Sequence, residues 1–295
     1  MDLPCSVRDL IPQKGKMGFE QILIKTKTDD GQSTASINQG NIFLNDHNQL
    51  SNTALIEYVN QLIAAVQGYN SLGGKTPAKS GLFVGLQDAE FLGPVCRGDF
   101  LTIKKFLKEE VNQVNFVQGI IERNGERIAE FVTKIYEVKD SAELDFLTSR
   151  SKSVVAKEDL KSNNPEPPLH LRSNLHRKLY SYTHDINVEA DYISFKIACA
   201  SDFDGFDGHF PGNPILPGVV LLEIATLALE LLLGTPVAIL QIKKMKISGV
   251  VLPDQVISCA VRINRDSGPL VSFSTIFEDR NEREISRFTG TCGEG

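Results

Sequence analysis

From Gly218 to Leu233 the chain is apolar almost without a break, and this run constrains the fold more than any other stretch. A helix that is hydrophobic on nearly every side has to be enclosed by the rest of its domain. Pro217 stands at its start, where a missing N–H costs a helix nothing. The loop before it, Asp207-Gly-His-Phe-Pro-Gly-Asn-Pro-Ile-Leu-Pro, is stiff. Pro211, Pro214 and Pro217 fix φ there, while Gly208, Gly212 and Gly218 allow tight turns or close backbone approach. Two ionisable groups interrupt the segment, His209 in the loop and Glu223 in the helix. A carboxylate in such a helix must be paired or protonated.

A chain of 295 residues leaves room for about two domains. Its 41% hydrophobic and 23% charged residues are those of an ordinary globular protein. Glu223 and Glu230 within the longest apolar run argue against a membrane span. The first residues, Met-Asp-Leu-Pro-Cys, have neither the basic leader nor the apolar core of a signal peptide. Five scattered cysteines without CxxC spacing argue against a zinc site or a disulfide framework and fit a reducing cytoplasm. A net charge of −6 disfavours nucleic acid as a partner and requires any acidic partner to dock on a local basic patch. Lys243, Lys244 and Lys246 offer such a patch, or else a plain solvated face.

The loop and helix together, GHFPGNPILPGVVLLE, resemble the signature of the hot-dog-fold 3-hydroxyacyl-acyl-carrier-protein dehydratases of the FabA and FabZ type. That signature has a His in HFPGxPxxPG and an acidic residue fourteen positions later on the central helix; His209 and Glu223 have this spacing. The resemblance covers the last part of the chain and implies a base, an acid and an acyl tunnel in which Phe210 takes part. It implies no metal or redox cofactor, the substrate being carried as a phosphopantetheine thioester on an acyl carrier protein or CoA.

The first half repeats the plan. Glu20 to Thr28 and Gln32 to Asn38 read as a hairpin around Asp29-Asp30-Gly31. Ser51 to Tyr69 reads as a helix capped by Ser51 or Asn52, with Leu55, Tyr58, Val59, Leu62, Ile63 and Val66 on one stripe. Four strands are expected after it, Phe83 to Leu92, Phe100 to Lys108, Val111 to Arg123 and Arg127 to Val138. In the second half Leu175 to Ile186 and Ala190 to Ala200 read as strands before the signature. Val237 to Ser248, Gln255 to Arg265, Val271 to Glu278 and Glu284 to Thr291 supply four more strands after its helix. This is an internal duplication, and it predicts an α+β double hot dog: 1–139 the first unit, 140–172 a polar, Pro-rich linker, 173–295 the second. A helical turn near 157–161 is expected within that linker.

Ile56-Glu-Tyr-Val-Asn-Gln61 resembles the helix half of the same signature, in which Gln follows the acid by four residues. Fourteen residues before Glu57 stands Phe43, which is no base; His47 is a surface loop residue, and His170, His176 and His184 read as surface residues too. In the second half Leu227 replaces the Gln. Each half has kept what the other lost. The family places each site between two units, so the resemblance implies one composite site, His209 facing Glu57 with Gln61 in support. Glu223 and Phe43 are then the remnant of a second site. The oxyanion donor falls to a helix N-terminus, at Gly218 or at its counterpart Asn52. Pairing of a His-bearing with a His-lacking hot dog is similar to the dehydratase pairs of aryl-polyene pathways. The expected activity is (3R)-3-hydroxyacyl-ACP dehydration to a trans-2-enoyl thioester, with assembly of several double hot dogs left open. The rival readings are a hot-dog acyl-thioesterase, a non-catalytic acyl-carrier binding module and an oligomerisation scaffold.

Overall fold

A computed structural model of the chain describes residues 2–72, 80–138, 143, 164–209, 212–265 and 270–295. The expected loop at 73–77, most of the connector at 140–163 with its helical turn, and Phe210 lie outside these residues. In the first half β1 (Cys5–Ser6), β2 (Gln21–Lys27), β3 (Asp30–Ser36) and the short β4 (Gln49–Leu50) lead into helix α1 (Ala54–Leu72). Then follow β5 (Ser80–Phe91), the short β6 (Val95–Cys96), β7 (Phe100–Val111), β8 (Val114–Arg123) and β9 (Glu126–Val138). The second half holds helix α2 (Asn174–Tyr180), β10 (Thr183–Val188), β11 (Tyr192–Ile197), helix α3 (Gly218–Leu233) and β12 (Val237–Ile247). It closes with β13 (Ile257–Asn264), β14 (Val271–Asp279) and β15 (Glu284–Glu294).

The helix stripe read from spacing is the face that packs. Leu55, Tyr58, Val59, Leu62, Ile63 and Val66 are all buried, and each such side chain contributes ~1.5–3 kcal/mol on leaving water. α3 is buried along its length from Val219 to Glu230, as an all-apolar helix must be. Strands alternate buried and partly exposed residues, most regularly in β8 and β13, so that each sheet keeps one face for its helix.

Each half wraps a sheet around its helix, and the two sheets join edge to edge. The strand after α1 pairs antiparallel with the strand after α3, Gly85 opposite Lys246 and Glu90 opposite Gln241. The resulting order is β1-β2-β3-β7-β8-β9-β5-β12-β15-β14-β13-β11-β10. Joining at β5 and β12 covers one edge of each sheet and brings α1 and α3 together across the seam. This is the double hot dog.

One expected strand is wrong. Leu175 to Ile186 begins as a helix, α2, and becomes a strand only at Thr183. Its buried residues, Leu175, His176, Leu179 and Tyr180, recur at helical and not at strand spacing. Ser173 accepts a hydrogen bond from the His176 amide at its N-cap, the start signal that the sequence carried. Nor is His176 a surface residue: it is 5% exposed. His170 and His184 are half-buried.

Candidate active site

A cavity of about 670 Å³ opens along the seam, with Glu57 of α1, His209 of the proline-rich loop and Gly218 at the start of α3 all on its wall. Gly218 has no room for a side chain. A Cβ there would lie 2.5 Å from a Phe83 ring carbon and 2.8 Å from Ile247 Cδ1, so the helix start and the first half's β5 approach as closely as glycine allows. The first N–H groups of a helix lack intrahelical partners, and Gly218, where α3 begins, is on the wall of this cavity.

His209 is half-buried, and its Nδ1–H donates to the Ile215 carbonyl oxygen at 2.8 Å. That bond leaves the lone pair of the neutral ring on Nε2. Burial lowers its pKa to about 4, against the opposing pull of the Ile215 bond. The ring is therefore neutral throughout the physiological range. Glu57 is 4% exposed, and burial raises its pKa to about 7 although the amides of Gln61 and Asn60 pull the other way. Here desolvation wins.

Gln61 holds Glu57 in place. Its Nε2 donates to Glu57 Oε1 at 2.8 Å and to the Met17 carbonyl at 2.6 Å, while its Oε1 accepts from the Phe19 amide at 2.9 Å. The same segment reaches the histidine loop. The Lys14 amide donates to Gly208 O at 3.0 Å, the Lys16 amide to Asp207 Oδ2 at 3.0 Å and the Met17 amide to Asp207 O at 3.3 Å. Gly208 has φ +78, and a Cβ on it would strike the Lys14 carbonyl. Residues 14–19 thus strap the helix of the acid to the loop of the histidine. Among the described residues, two buried atoms on the cavity wall have no hydrogen-bond partner, Gln13 Oε1 and Asn60 Nδ2.

Across the seam the counterpart positions line a much smaller space of about 60 Å³. Phe43 is 1% exposed and packs edge-on against Phe19. Asn52 donates to the Ile239 carbonyl at 2.9 Å; it borders this space and not the large cavity. Glu223 is enclosed by polar groups that sequence reasoning missed. His176 Nε2 lies 2.8 Å from Glu223 Oε2 and Nδ1 2.7 Å from Glu230 Oε2, with Ser51 Oγ at 2.5 Å from Glu223 Oε1 and Thr53 Oγ1 also donating to it. Burial depresses the His176 pKa, but the two carboxylates outweigh it and push it up to about 10. An imidazolium between two carboxylates satisfies the buried acid of α3. Among the described residues no helix is long and apolar enough to cross a membrane, and no group of three or more His, Cys, Asp or Glu is arranged to hold a metal ion.

Two family models divide the chain between its halves. Residues 5–145 match the ApeP-like family, described as ApeP dehydratase, and residues 185–287 the ApeI-like family, described as ApeI dehydratase. The chain is 32% identical over 71 residues to the 3-hydroxyacyl-[acyl-carrier-protein] dehydratase FabZ of Clostridium acetobutylicum. The match covers 22% of this chain and spans half the length of that enzyme. Two solved structures share the architecture. The dehydratase domain of RzxB from Pseudomonas fluorescens has a TM-score of 0.52 at 14% identity, covering 89% of this chain and 94% of that one. The 12:0-ACP thioesterase from Umbellularia californica has a TM-score of 0.56 at 9% identity, covering 90% and 94%. At these identities they establish the fold and leave the chemistry to the site residues.

Proposed function

From the premise that the chain is a hot-dog-fold dehydratase related to the ApeI and ApeP pair, we propose that it removes water from (3R)-3-hydroxyacyl thioesters at one composite site. One observation carries this reading: His209 of the second half and Glu57 of the first line the same cavity, and burial pushes their pKa values in opposite directions. His209 Nε2 takes the proton from C2, and the C–H pair becomes the C2–C3 double bond. The C3–O bond breaks with its electrons on oxygen, and the Glu57 proton converts the departing hydroxyl to water. The imidazolium and the carboxylate formed in this step offset one another across a poorly solvated space. The Gly218 end of α3 receives the charge that develops on the thioester oxygen. Gln61 orients the acid. In this reading the units are 1–139 and 173–295 joined by 140–172, and Glu223 with Phe43 is the remnant of a second site.

The partner that fits is an acyl carrier protein. Lys134, Lys246 and Arg287 fall in one cross-strand row over the seam, through Gly85. Lys246 and Arg287 are exposed, and Lys246 adjoins Ile247 of the cavity wall. Such a row suits an acidic carrier surface or the phosphate of its arm. Thioester hydrolysis is the runner-up, because the fold is shared with thioesterases; a Glu57 that holds its proton near neutrality is poorly suited to activating water for it.

The test is turnover of (3R)-3-hydroxyacyl thioesters by the wild type, His209→Ala, Glu57→Gln and Glu223→Gln. The first two substitutions lower the rate by about 10² or more and the third changes it little. Loss of activity in Glu223→Gln with a healthy Glu57→Gln overturns the cross-seam assignment, and release of free thiol from acyl thioesters favours hydrolysis.

A further inference from the structure

We propose that Asn60 holds the leaving hydroxyl of the substrate, donating from Nδ2 to that oxygen while Glu57 protonates it; this rests on the dehydration reading above. Asn60 follows Glu57 by three residues, a spacing that puts both side chains on one helix face, and both line the cavity. The carboxamide is anchored from behind. Thr133, fully buried on β9, donates its hydroxyl to Asn60 Oδ1 at 3.0 Å. With Oδ1 engaged, Nδ2 is the end left for a ligand, and it is a buried donor without a partner among the described residues. It lies close enough to Glu57 to favour the ionised carboxyl yet falls short of hydrogen-bond geometry with it.

Buried amide donors are rarely left unmatched, because the lost hydration is not replaced. Here the mismatch has a chemical use. A full bond from Nδ2 to Glu57 would add to the bond from Gln61 and pull the acid towards its ionised form, in which it has no proton to give. Offset from the carboxyl, the donor is kept for an arriving oxygen. The 3-hydroxyl is that oxygen. As the C3–O bond breaks, the electron pair moves onto oxygen, which takes its proton from Glu57 and keeps the Asn60 bond until water departs. The bond strengthens as that charge grows, so it favours the transition state over the bound substrate. Acyl thioesters without a hydroxyl at C3 gain nothing from it. Asn60 is therefore a specificity-determining residue for the 3-hydroxy group.

The test separates recognition of the hydroxyl from turnover. In a His209→Ala background, affinities are measured by calorimetry for (3R)-hydroxyoctanoyl- and octanoyl-N-acetylcysteamine, with and without Asn60→Ala. The expected result is a preference for the hydroxy ligand that falls about three- to tenfold with Asn60→Ala, with octanoyl binding unchanged. With His209 intact, Asn60→Ala lowers kcat by about tenfold or more and leaves KM less affected. An unchanged preference, or equal weakening of both ligands, overturns the proposal. Thr133→Val, which frees the amide from its anchor, carries the same comparison if Asn60→Ala does not fold, and the preference falls there as well. A wild type that dehydrates no 3-hydroxyacyl thioester removes the dehydration reading, whereas the hydroxyl preference is judged on binding alone.

Discussion

Replacing Glu57 with Gln tests the acid in two independent ways. The side chain keeps its shape and the oxygen that accepts from Gln61 at 2.8 Å, but it cannot donate the carboxyl proton. With a pKa of about 7, half of the wild-type Glu57 is protonated at neutral pH, against ~0.3% for a carboxyl at its ordinary value. Burial therefore multiplies the competent acid by ~150-fold at that pH. Wild-type kcat/KM should be flat between about pH 4, where His209 loses its proton, and about pH 7. Above that it should fall tenfold per pH unit. Glu57→Gln should lose ~10²-fold or more and, in its residual rate, the alkaline limb. Stability moves the other way. A folded pKa raised from 4.5 to about 7 contributes stability that is complete below the unfolded value and lost as pH rises through the folded one. At pH 8 the wild type has given up ~3 kcal/mol that the Gln variant retains, and the gap closes towards pH 4.5. Enoyl-thioester absorbance across the pH range and urea denaturation at the two ends measure both effects. An alkaline limb that survives in Glu57→Gln, or a variant no more stable than the wild type at pH 8, would refute the assignment.

His176→Ala leaves Glu223 and Glu230 buried without their shared cation and should cost ~3–5 kcal/mol in denaturant unfolding near neutral pH. The His176 contribution is complete below its unfolded pKa of 6.5 and lost as pH rises through about 10, so the deficit of the variant should shrink on the alkaline side. Gly218→Ala drives a methyl group into Phe83 and Ile247; a loss of ~1–3 kcal/mol in Tm-monitored stability is expected, with a fall in kcat. Lys246→Glu should raise KM for a carrier-protein-bound substrate, more at low salt than at high, and leave an N-acetylcysteamine substrate unaffected.

Much of this arrangement was legible because it rests on local periodicity. The α1 stripe, the α3 run and the alternating strands each announce a buried face, and the His209 and Glu57 motifs depend on spacing along the chain. What escaped reading depends on contacts between distant segments. His176 looks like any polar residue of a short segment until α2 turns it between Glu223 and Glu230. The strap at 14–19 has no motif strength, since its work is done by backbone amides and carbonyls that every sequence possesses. Asn60 is likewise unremarkable until Thr133 from β9 fixes its amide. Phe43 could be recognised as not a base, but that it fills its space against Phe19 is a packing fact.

The pairing of β5 with β12 inside one polypeptide has a further consequence. Where two separate hot dogs supply the acid and the base, catalytic capacity follows the odds that unlike subunits meet and fades on dilution. Covalent tethering makes that encounter intramolecular at an effective concentration in the ~mM range, so specific activity should hold constant down to assay concentrations at which a two-gene complex would come apart. On the one-site reading proposed above the cost is redundancy: a homodimer damaged in one copy can still turn over at the other, whereas a single composite site has no spare.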